Sequence, residues 1–352
     1  MSGIRLGDPG TFPLRKVLSE EGNDCVEGFD EAGLPPRDTL LKVYRAMLTT
    51  RLLDDRMLKL QRQGRVAFVG AATGLEAAIH GSAAAFQAKD WVFSALREGG
   101  VAIQRGMPLD AYVAHMFGNE QDSAKGRQMP NHPQCKDVNF VSWSSVIGTQ
   151  LPHAVGVALA MKARGESAVA CAYTGDGGTS SSGFHSALNF AGVTKAPVVF
   201  VVVDNGWAIS VPSSAQTASR SYGAKASAYG MPGEDVDGND VLACMAAVDE
   251  AAVRARTGDG PSLVCLRTYR MGGHSSSDDP SRYRDEEEVR HWADRDPILR
   301  FERFLTLRGI LDEKDREAWV AEITGTIASA VKTAEAAGPP ALETLVEDVW
   351  AD

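Results

Sequence analysis

Cysteine is scarce in this chain and falls into no pattern. The five cysteines in 352 residues (Cys25, Cys135, Cys171, Cys244, Cys265) have no paired spacing, which argues against a disulfide framework. Cys171 and Cys265 lie in apolar, strand-like runs and read as core thiols, as expected in a reducing cytoplasm. No apolar run approaches membrane-spanning length. No basic run offsets the formal net charge of −10, so neither nucleic acid nor a membrane surface is an expected partner. The first residues lack the apolar core of a signal peptide and the arginine-rich, acid-poor composition of a transit peptide. Internal repeats and low-complexity tracts are missing too.

A chain of this length with 44% hydrophobic residues can bury a large core. Its organising stretch runs from Ser167 to Ser210. Ala168 to Tyr173 is an apolar run of strand length, broken by Gly175-Asp176-Gly177-Gly178. Phe184, Leu188 and Ala191 recur at helical spacing, and Gly192 is a helix stop. Pro197 to Val203 is a near-continuous β-branched run, the pattern of a parallel strand buried on both faces, and Asp204-Asn205-Gly206 ends it.

That order makes the two strands parallel and puts both turns at one carboxyl-terminal edge. Neighbouring strands lie about 4.8 Å apart, so Asp176 and Asn205 converge on one point if these two are neighbours. Magnesium takes such oxygen ligands together with phosphate and water. The glycines allow a diphosphate to approach the backbone, and the following helix aims its amino end at that anion. Two alternatives compete. Gly, Asp and Asn punctuate strand ends in any α/β protein. A dinucleotide fold would use Asp204 on a ribose, but G-x-G-x-x-G fails at Ser180.

Elsewhere, Arg37 to Gly64 reads as a helix, and Gln61 to Gly70 as a loop carrying Phe68. Thr73 to Glu76 fits a capping box for a helix ending near Gln87. Arg97 follows a short strand at Asp90 to Ser94, placed for a bidentate phosphate grip or for an ion pair with Glu98. Asn119 to Asn139 is a long polar loop with Lys125, Arg127 and His132. Ser144 to Gln150 leads into an alanine-rich helix whose start its Ser and Thr suit as caps. Ser262 to Arg267 is a further strand. Beyond it, His274 sits among glycines and serines, a catalytic candidate or a solvated loop histidine, and Arg270 is expected to pair with Asp278. Short helices at Asp285 to Ala293 and Pro297 to Leu307, and an amphipathic one through Val320, Ile323, Ile327 and Val331, read as packing or interface. The fold expected is α/β: a doubly wound, mainly parallel sheet with a helical C-terminal extension. The boundaries are an arm at 1–35 that packs on a partner or stays mobile, a domain at 36–295 and the extension at 296–352.

The segments KGRQMP (Lys125 to Pro130), DNGWAISVP (Asp204 to Pro212), VDGND (Val236 to Asp240) and TYRMGGHSSSDDPSRYR (Thr268 to Arg284), with the GDG unit, resemble the alpha subunits of the thiamine diphosphate-dependent 2-oxo acid dehydrogenase component. They resemble the branched-chain type in particular, within the pyruvate dehydrogenase-like family. The resemblance runs from about Leu34 to the C-terminus. It implies the diphosphate-binding half of a thiamine diphosphate-binding fold. It also implies oxidative decarboxylation of a 2-oxo acid, with acyl transfer to the lipoyl group of a dihydrolipoyl acyltransferase.

By resemblance Asp176, Asn205 and the Trp207 carbonyl hold magnesium. Arg97, Ser145, Ile147, Gly175, Gly177, Gly178 and His274 contact the cofactor, with His274 also catalytic. Phe68, Leu96 and Ser145 face substrate, and Val69, Gly70 and Ala71 lack the bulky polar group that would oppose an apolar acyl chain. Ser144, Val146, Thr149 and Gln150 match a potassium site, and Ser275 a serine phosphorylated in mitochondrial relatives. An activating glutamate belongs to a separate beta subunit, so an α2β2 assembly is expected. The chain departs from the pattern at Leu96 (usually tyrosine), Val203 (often arginine or another polar residue), Asp204 (often asparagine) and Ser181-Ser182. A pyruvate or acetoin dehydrogenase alpha subunit, a nicotinamide oxidoreductase and a non-catalytic paralogue remain as alternatives.

Overall fold

Six strands form one sheet among the residues that the computed structural model describes, 14–347 and 349–350. In chain order the strands are β1 (Trp91–Phe93), β2 (Phe140–Val141), β3 (Ala170–Gly175), β4 (Val198–Asp204), a separate antiparallel pair β5 (Trp207–Ala208) and β6 (Val211–Pro212), β7 (Gly233–Asp237) and β8 (Ser262–Arg267). The sheet order is β2-β1-β3-β4-β8-β7, and every pairing in it is parallel. The helices are α1 (Arg37–Arg62), α2 (Glu76–Ala83), α3 (Gly99–Arg105), α4 (Leu109–Phe117), α5 (Gln150–Ala163), α6 (Ser182–Thr194), α7 (Ser213–Gln216), α8 (Val241–Arg256), α9 (Glu286–Ala293), α10 (Pro297–Leu307) and α11 (Glu313–Ala336).

Strand β4 is buried along its whole length, which is why its sequence does not alternate. Val199, Val201 and Val203 enter one core, which they share with α1, α2 and α8. Val198, Phe200 and Val202 enter the other, which they share with α5 and α6. Helices on both faces make the sheet doubly wound. The short strands β2 and β7 carry no clear period and were not legible in the sequence. Strands β3 and β4 are direct neighbours, with Gly175 opposite Val203, so the expected convergence of their ends holds.

Within the N-terminal arm, residues from Arg15 to Leu18 pack on this chain's own sheet edge. Arg15 bridges to Val236 in β7. Asp240 caps α8 through Oδ1 and with Oδ2 accepts the Val17 and Leu18 amides, each at 2.6 Å. Arg300 of α10 closes the cluster, pairing with Asp237 at 2.9 Å and donating to the Leu18 carbonyl at 2.7 Å. Residues 1–13 of the arm lie outside the described ones. The C-terminal helices have no separate core: Ile323, Ile327 and Val331 of α11 belong to the cluster that holds α1.

The capping box at Thr73 does not form. α2 starts at Glu76 with no side-chain cap and ends at Ala83. Glu76 is spent on two other bonds, to the Gly74 amide at 2.9 Å and to Arg51 at 2.5 Å. On α1, buried Asp54 accepts the Ala72 amide at 2.7 Å and so pins the loop before α2. Burial, opposed by that amide, pushes its pKa up to about 7. A raised carboxylate binds its proton more tightly in the folded state. Its contribution is therefore undiminished below about pH 4 and becomes a cost as pH rises through about 7, of at most about 4 kcal/mol. Asp54→Asn keeps an acceptor for Ala72 and removes that cost. Thermal unfolding should show the variant several degrees more stable than wild type at pH 8 and little changed at pH 4; an equal shift at both would refute the account.

Candidate active site

The carboxyl ends of four parallel strands meet around one cavity of about 650 Å³. Arg97 follows β1, Asp176 follows β3, Asn205 follows β4, and Arg270 and His274 follow β8. This is the edge where ligands of doubly wound sheets bind. Phe68, Leu96, Ser145, Ile147, Gly175, Gly177, Gly178 and Trp207 line the same cavity, so the sequence-derived candidates come together from widely separated segments.

Arg97 is buried and forms no ion pair with Glu98, whose carboxylate instead accepts the Ala95 and Arg97 backbone amides. The guanidinium donates to the Ala71 carbonyl and, at 2.6 Å, to the His274 carbonyl. Burial and the neighbouring Arg270 lower its pKa to about 10, so it stays charged at neutral pH. Arg270 does not pair with Asp278. It donates to the carbonyls of Trp207 at 3.0 Å and Ile209 at 2.8 Å and to the Tyr283 hydroxyl at 3.1 Å. Tyr283 in turn donates to Asp278, which also accepts the His274 amide at 2.6 Å. The loop is thus ordered through Tyr283. Among the described residues neither buried guanidinium has a carboxylate partner.

Asp176 has the opposite problem. It is buried, and its Oδ2 has no hydrogen-bond partner among the described residues. Burial, then the nearby Asp204 carboxylate, push its pKa up to about 7. Asp204 itself does not line the cavity. It accepts from Ser213 Oγ at 2.8 Å and from the Gly206 amide at 3.3 Å, and lies 3.8 Å from Arg267. An acid turned away from the cavity cannot hold a ribose there, which removes the sequence support for a dinucleotide site. His274 is half-buried, with Nδ1 3.4 Å from Arg97; burial, then Arg97 and Arg270, lower its pKa to about 4, so its ring is neutral at pH 7.

Two expectations about the GDG turn need correction. A 3₁₀ turn, Asp176–Ser180, separates it from α6, which starts at Ser182 under a Ser181 cap, so the α-helix does not follow the glycines directly. Gly177 and Gly178 are also required by the protein's own packing. A Cβ would lie 2.7 Å from Ala208 at the first and 2.0 Å from Thr174 Oγ1 at the second, whereas at Gly175 it would meet only Asn205 Nδ2, at 4.0 Å. The β5–β6 hairpin that packs on Gly177 turns at Ile209, a β-branched residue at φ +56° whose carbonyl Arg270 holds.

Of the residues matched to potassium, Gln150 alone lines the cavity. Its Nε2 donates to the Tyr173 carbonyl at 2.8 Å, and its buried Oε1 has no partner among the described residues. Ser144 Oγ accepts the Val146 amide at 3.2 Å, and Thr149 donates to the Val146 carbonyl at 2.8 Å. Neither caps α5 through its side chain. Met129, His132, Trp143 and Arg270 also line the cavity without having been singled out as site residues. Met129 and His132 belong to the long polar loop and Arg270 to the segment after β8, while Trp143, between β2 and Ser144, carried no signal. Val203 lies on the wall and offers no polar atom.

The dehydrogenase E1 component family matches residues 44–343. The 2-oxoisovalerate dehydrogenase subunit alpha 2 of Arabidopsis thaliana is 40% identical over 349 residues, 99% of this chain and 73% of that protein. The 3-methyl-2-oxobutanoate dehydrogenase subunit alpha of Mycobacterium tuberculosis is 45% identical over 286 residues, 80% of this chain and 74% of that one. The human 2-oxoisovalerate dehydrogenase subunit alpha is 37% identical over 340 residues, 96% of this chain and 76% of that one.

Proposed function

The chain belongs to the dehydrogenase E1 component family, and from that premise we propose that it is the alpha subunit of a branched-chain 2-oxo acid dehydrogenase component. It serves oxidative decarboxylation of acids of the 3-methyl-2-oxobutanoate type, with acyl transfer to the lipoyl group of a dihydrolipoyl acyltransferase. The cofactor is thiamine diphosphate, with magnesium. The observation that carries this is the unmatched charge in the cavity: among the described residues, two buried guanidiniums have no carboxylate partner and one buried acid has an oxygen without a hydrogen bond. Buried unpaired charge is costly, so the site fits a ligand bearing both signs, a diphosphate with a divalent cation.

When bound, thiamine diphosphate supplies the electron sink that lets a 2-oxo acid lose carbon dioxide. The chain supplies position and electrostatics. Asp176 and Asn205 would hold the magnesium, together with the Trp207 carbonyl, which keeps one lone pair beyond its bond to Arg270. Arg97 would grip the diphosphate, and the Gly175 backbone leaves room for it. Ser145 and Ile147, which line the cavity, would flank the cofactor. Phe68, Leu96 and Met129 form an apolar wall that keeps water from an aliphatic acyl chain. Neutral His274 is fitted to accept a proton or a hydrogen bond during acyl transfer. Potassium is proposed at Gln150 Oε1 with Ser144, Val146 and Thr149.

The cavity's own glutamate, Glu98, is committed to two backbone amides and is not free to activate the cofactor. That role falls to a beta subunit, in an α2β2 assembly. The five free cysteines suit the cytoplasm as the proposed location. The test is turnover by the complex co-expressed with its beta subunit, with cofactor, magnesium and an artificial electron acceptor. The expected result is a preference for 3-methyl-2-oxobutanoate over pyruvate of about tenfold or more, the worth of an apolar side chain in a fitted pocket. Preference for pyruvate would overturn the substrate, and full activity of the alpha chain alone would overturn the need for a partner.

A further inference from the structure

The long polar loop delivers a buried histidine to the cavity wall. His132 Nε2 lies 2.7 Å from Ser145 Oγ, and Nδ1 lies 2.9 Å from the Pro130 carbonyl. A carbonyl only accepts, so Nδ1 carries the ring proton and Nε2 offers its lone pair. Burial holds the ring's pKa below its ordinary value, so it is neutral at pH 7. The Ser145 hydroxyl therefore donates to Nε2, which leaves its own lone pairs for the cavity.

The ring is fixed from two sides. Its centroid lies 4.3 Å from that of Trp143. Its backbone amide donates to His115 Nε2 at 3.0 Å, so the Nδ1–H of His115 is the one that faces Asp122, at 3.1 Å. Asp122 also accepts the amides of Ala124 and Gly126, each at 3.0 Å, within the same loop. A buried acid and a second histidine thus anchor the one that orients Ser145.

We propose that His132 is a positioning residue, holding the Ser145 hydroxyl so that it presents a hydrogen-bond acceptor to an N–H donor on the bound cofactor. The proposal rests on the thiamine diphosphate reading above. The test is a double-mutant cycle on the complex with the beta subunit, using His132→Leu, Ser145→Ala and both together, with His132→Gln as the conservative variant. It is read on two quantities: the thiamine diphosphate Kd, from quenching of tryptophan fluorescence with magnesium present, and kcat/KM for 3-methyl-2-oxobutanoate.

His132→Leu and Ser145→Ala should each weaken the thiamine diphosphate Kd by about 10- to 100-fold, and the double variant should be no worse than either single one. His132→Gln, which keeps an acceptor near the place of Nε2, should recover most of the loss. The loss should fall in Kd, with kcat/KM at saturating cofactor little changed. Single effects under twofold, or single losses that multiply in full, would overturn the proposal. If His132→Leu fails to assemble, Ser145→Ala decides alone: a wild-type Kd would overturn it. A wild-type complex that binds the cofactor but turns over no 2-oxo acid would sink the substrate reading instead, and the Kd cycle would still decide this one.

Discussion

Asp176→Asn should cut kcat/KM by about a thousandfold, roughly 4 kcal/mol of lost metal and cofactor binding, while making the cofactor-free protein more stable at pH 8. The two effects have one cause. Oδ2 of this buried acid has no partner among the described residues, and burial with Asp204 nearby raises its pKa to about 7. A raised carboxylate pKa means that the folded chain binds the proton more tightly than the unfolded one. Stability is therefore lost as pH rises from about 4 through about 7, and it is regained when a cation occupies the site. Asparagine is neutral and escapes the cost, but it brings no charge to the metal. Thermal unfolding at pH 8, with and without magnesium and cofactor, checks both halves. The wild type should gain markedly from the ligands and the variant little. A variant less stable than wild type without ligands, or one that keeps full activity, would show that Asp176 is a structural acid.

The second large effect is expected at His274. His274→Asn should lower turnover with the lipoyl acceptor by about 10²- to 10⁴-fold, the usual range for a positioned acid–base group, while changing the thiamine diphosphate Kd less than about threefold. The ring is held by its loop: Asp278 accepts its backbone amide at 2.6 Å, and its carbonyl takes Arg97 at 2.6 Å. Its pKa is lowered to about 4 by burial and then by Arg97 and Arg270. An anion bound by those arginines weakens the electrostatic part of that shift, so the pKa should rise in the loaded complex. The acidic limb of kcat against pH should therefore lie above 4 in the wild type and disappear in His274→Asn. An unchanged profile in the variant, or an equal loss in cofactor affinity, would move His274 from chemistry to binding.

What the sequence made legible follows from how local each signal was. The GDG turn, strand β4 and Asn205 could be read because an apolar run bounded by turn residues fixes a strand end, and two parallel neighbours bring their ends together. Arg97, Ser145 and His274 could be placed only by resemblance, since one arginine, serine or histidine on a loop carries no period. The capping box failed because Glu76 is drawn to Arg51 on a different helix, a contact across sequence that no local pattern encodes. The Arg270–Asp278 pair failed for a similar reason, with Tyr283 inserted between the partners. The glycines after Asp176 were assigned to ligand approach, yet Gly178 is demanded by Thr174 and Gly177 by a hairpin thirty residues on. Short strands such as β2, two residues long, are made by the sheet they join and have no sequence signal of their own.

The most direct test of the central claim is a titration of the wild-type complex with thiamine diphosphate, with and without magnesium, and in parallel with unphosphorylated thiamine and with NAD. If the unpaired charges in the cavity are a metal–diphosphate site, the diphosphate binds with magnesium, its affinity collapses on chelation, thiamine binds at least about a hundredfold more weakly, and NAD does not compete. Binding of the diphosphate that is indifferent to magnesium, or thiamine binding as tightly as its diphosphate, would contradict the assignment of Asp176, Asn205 and Arg97.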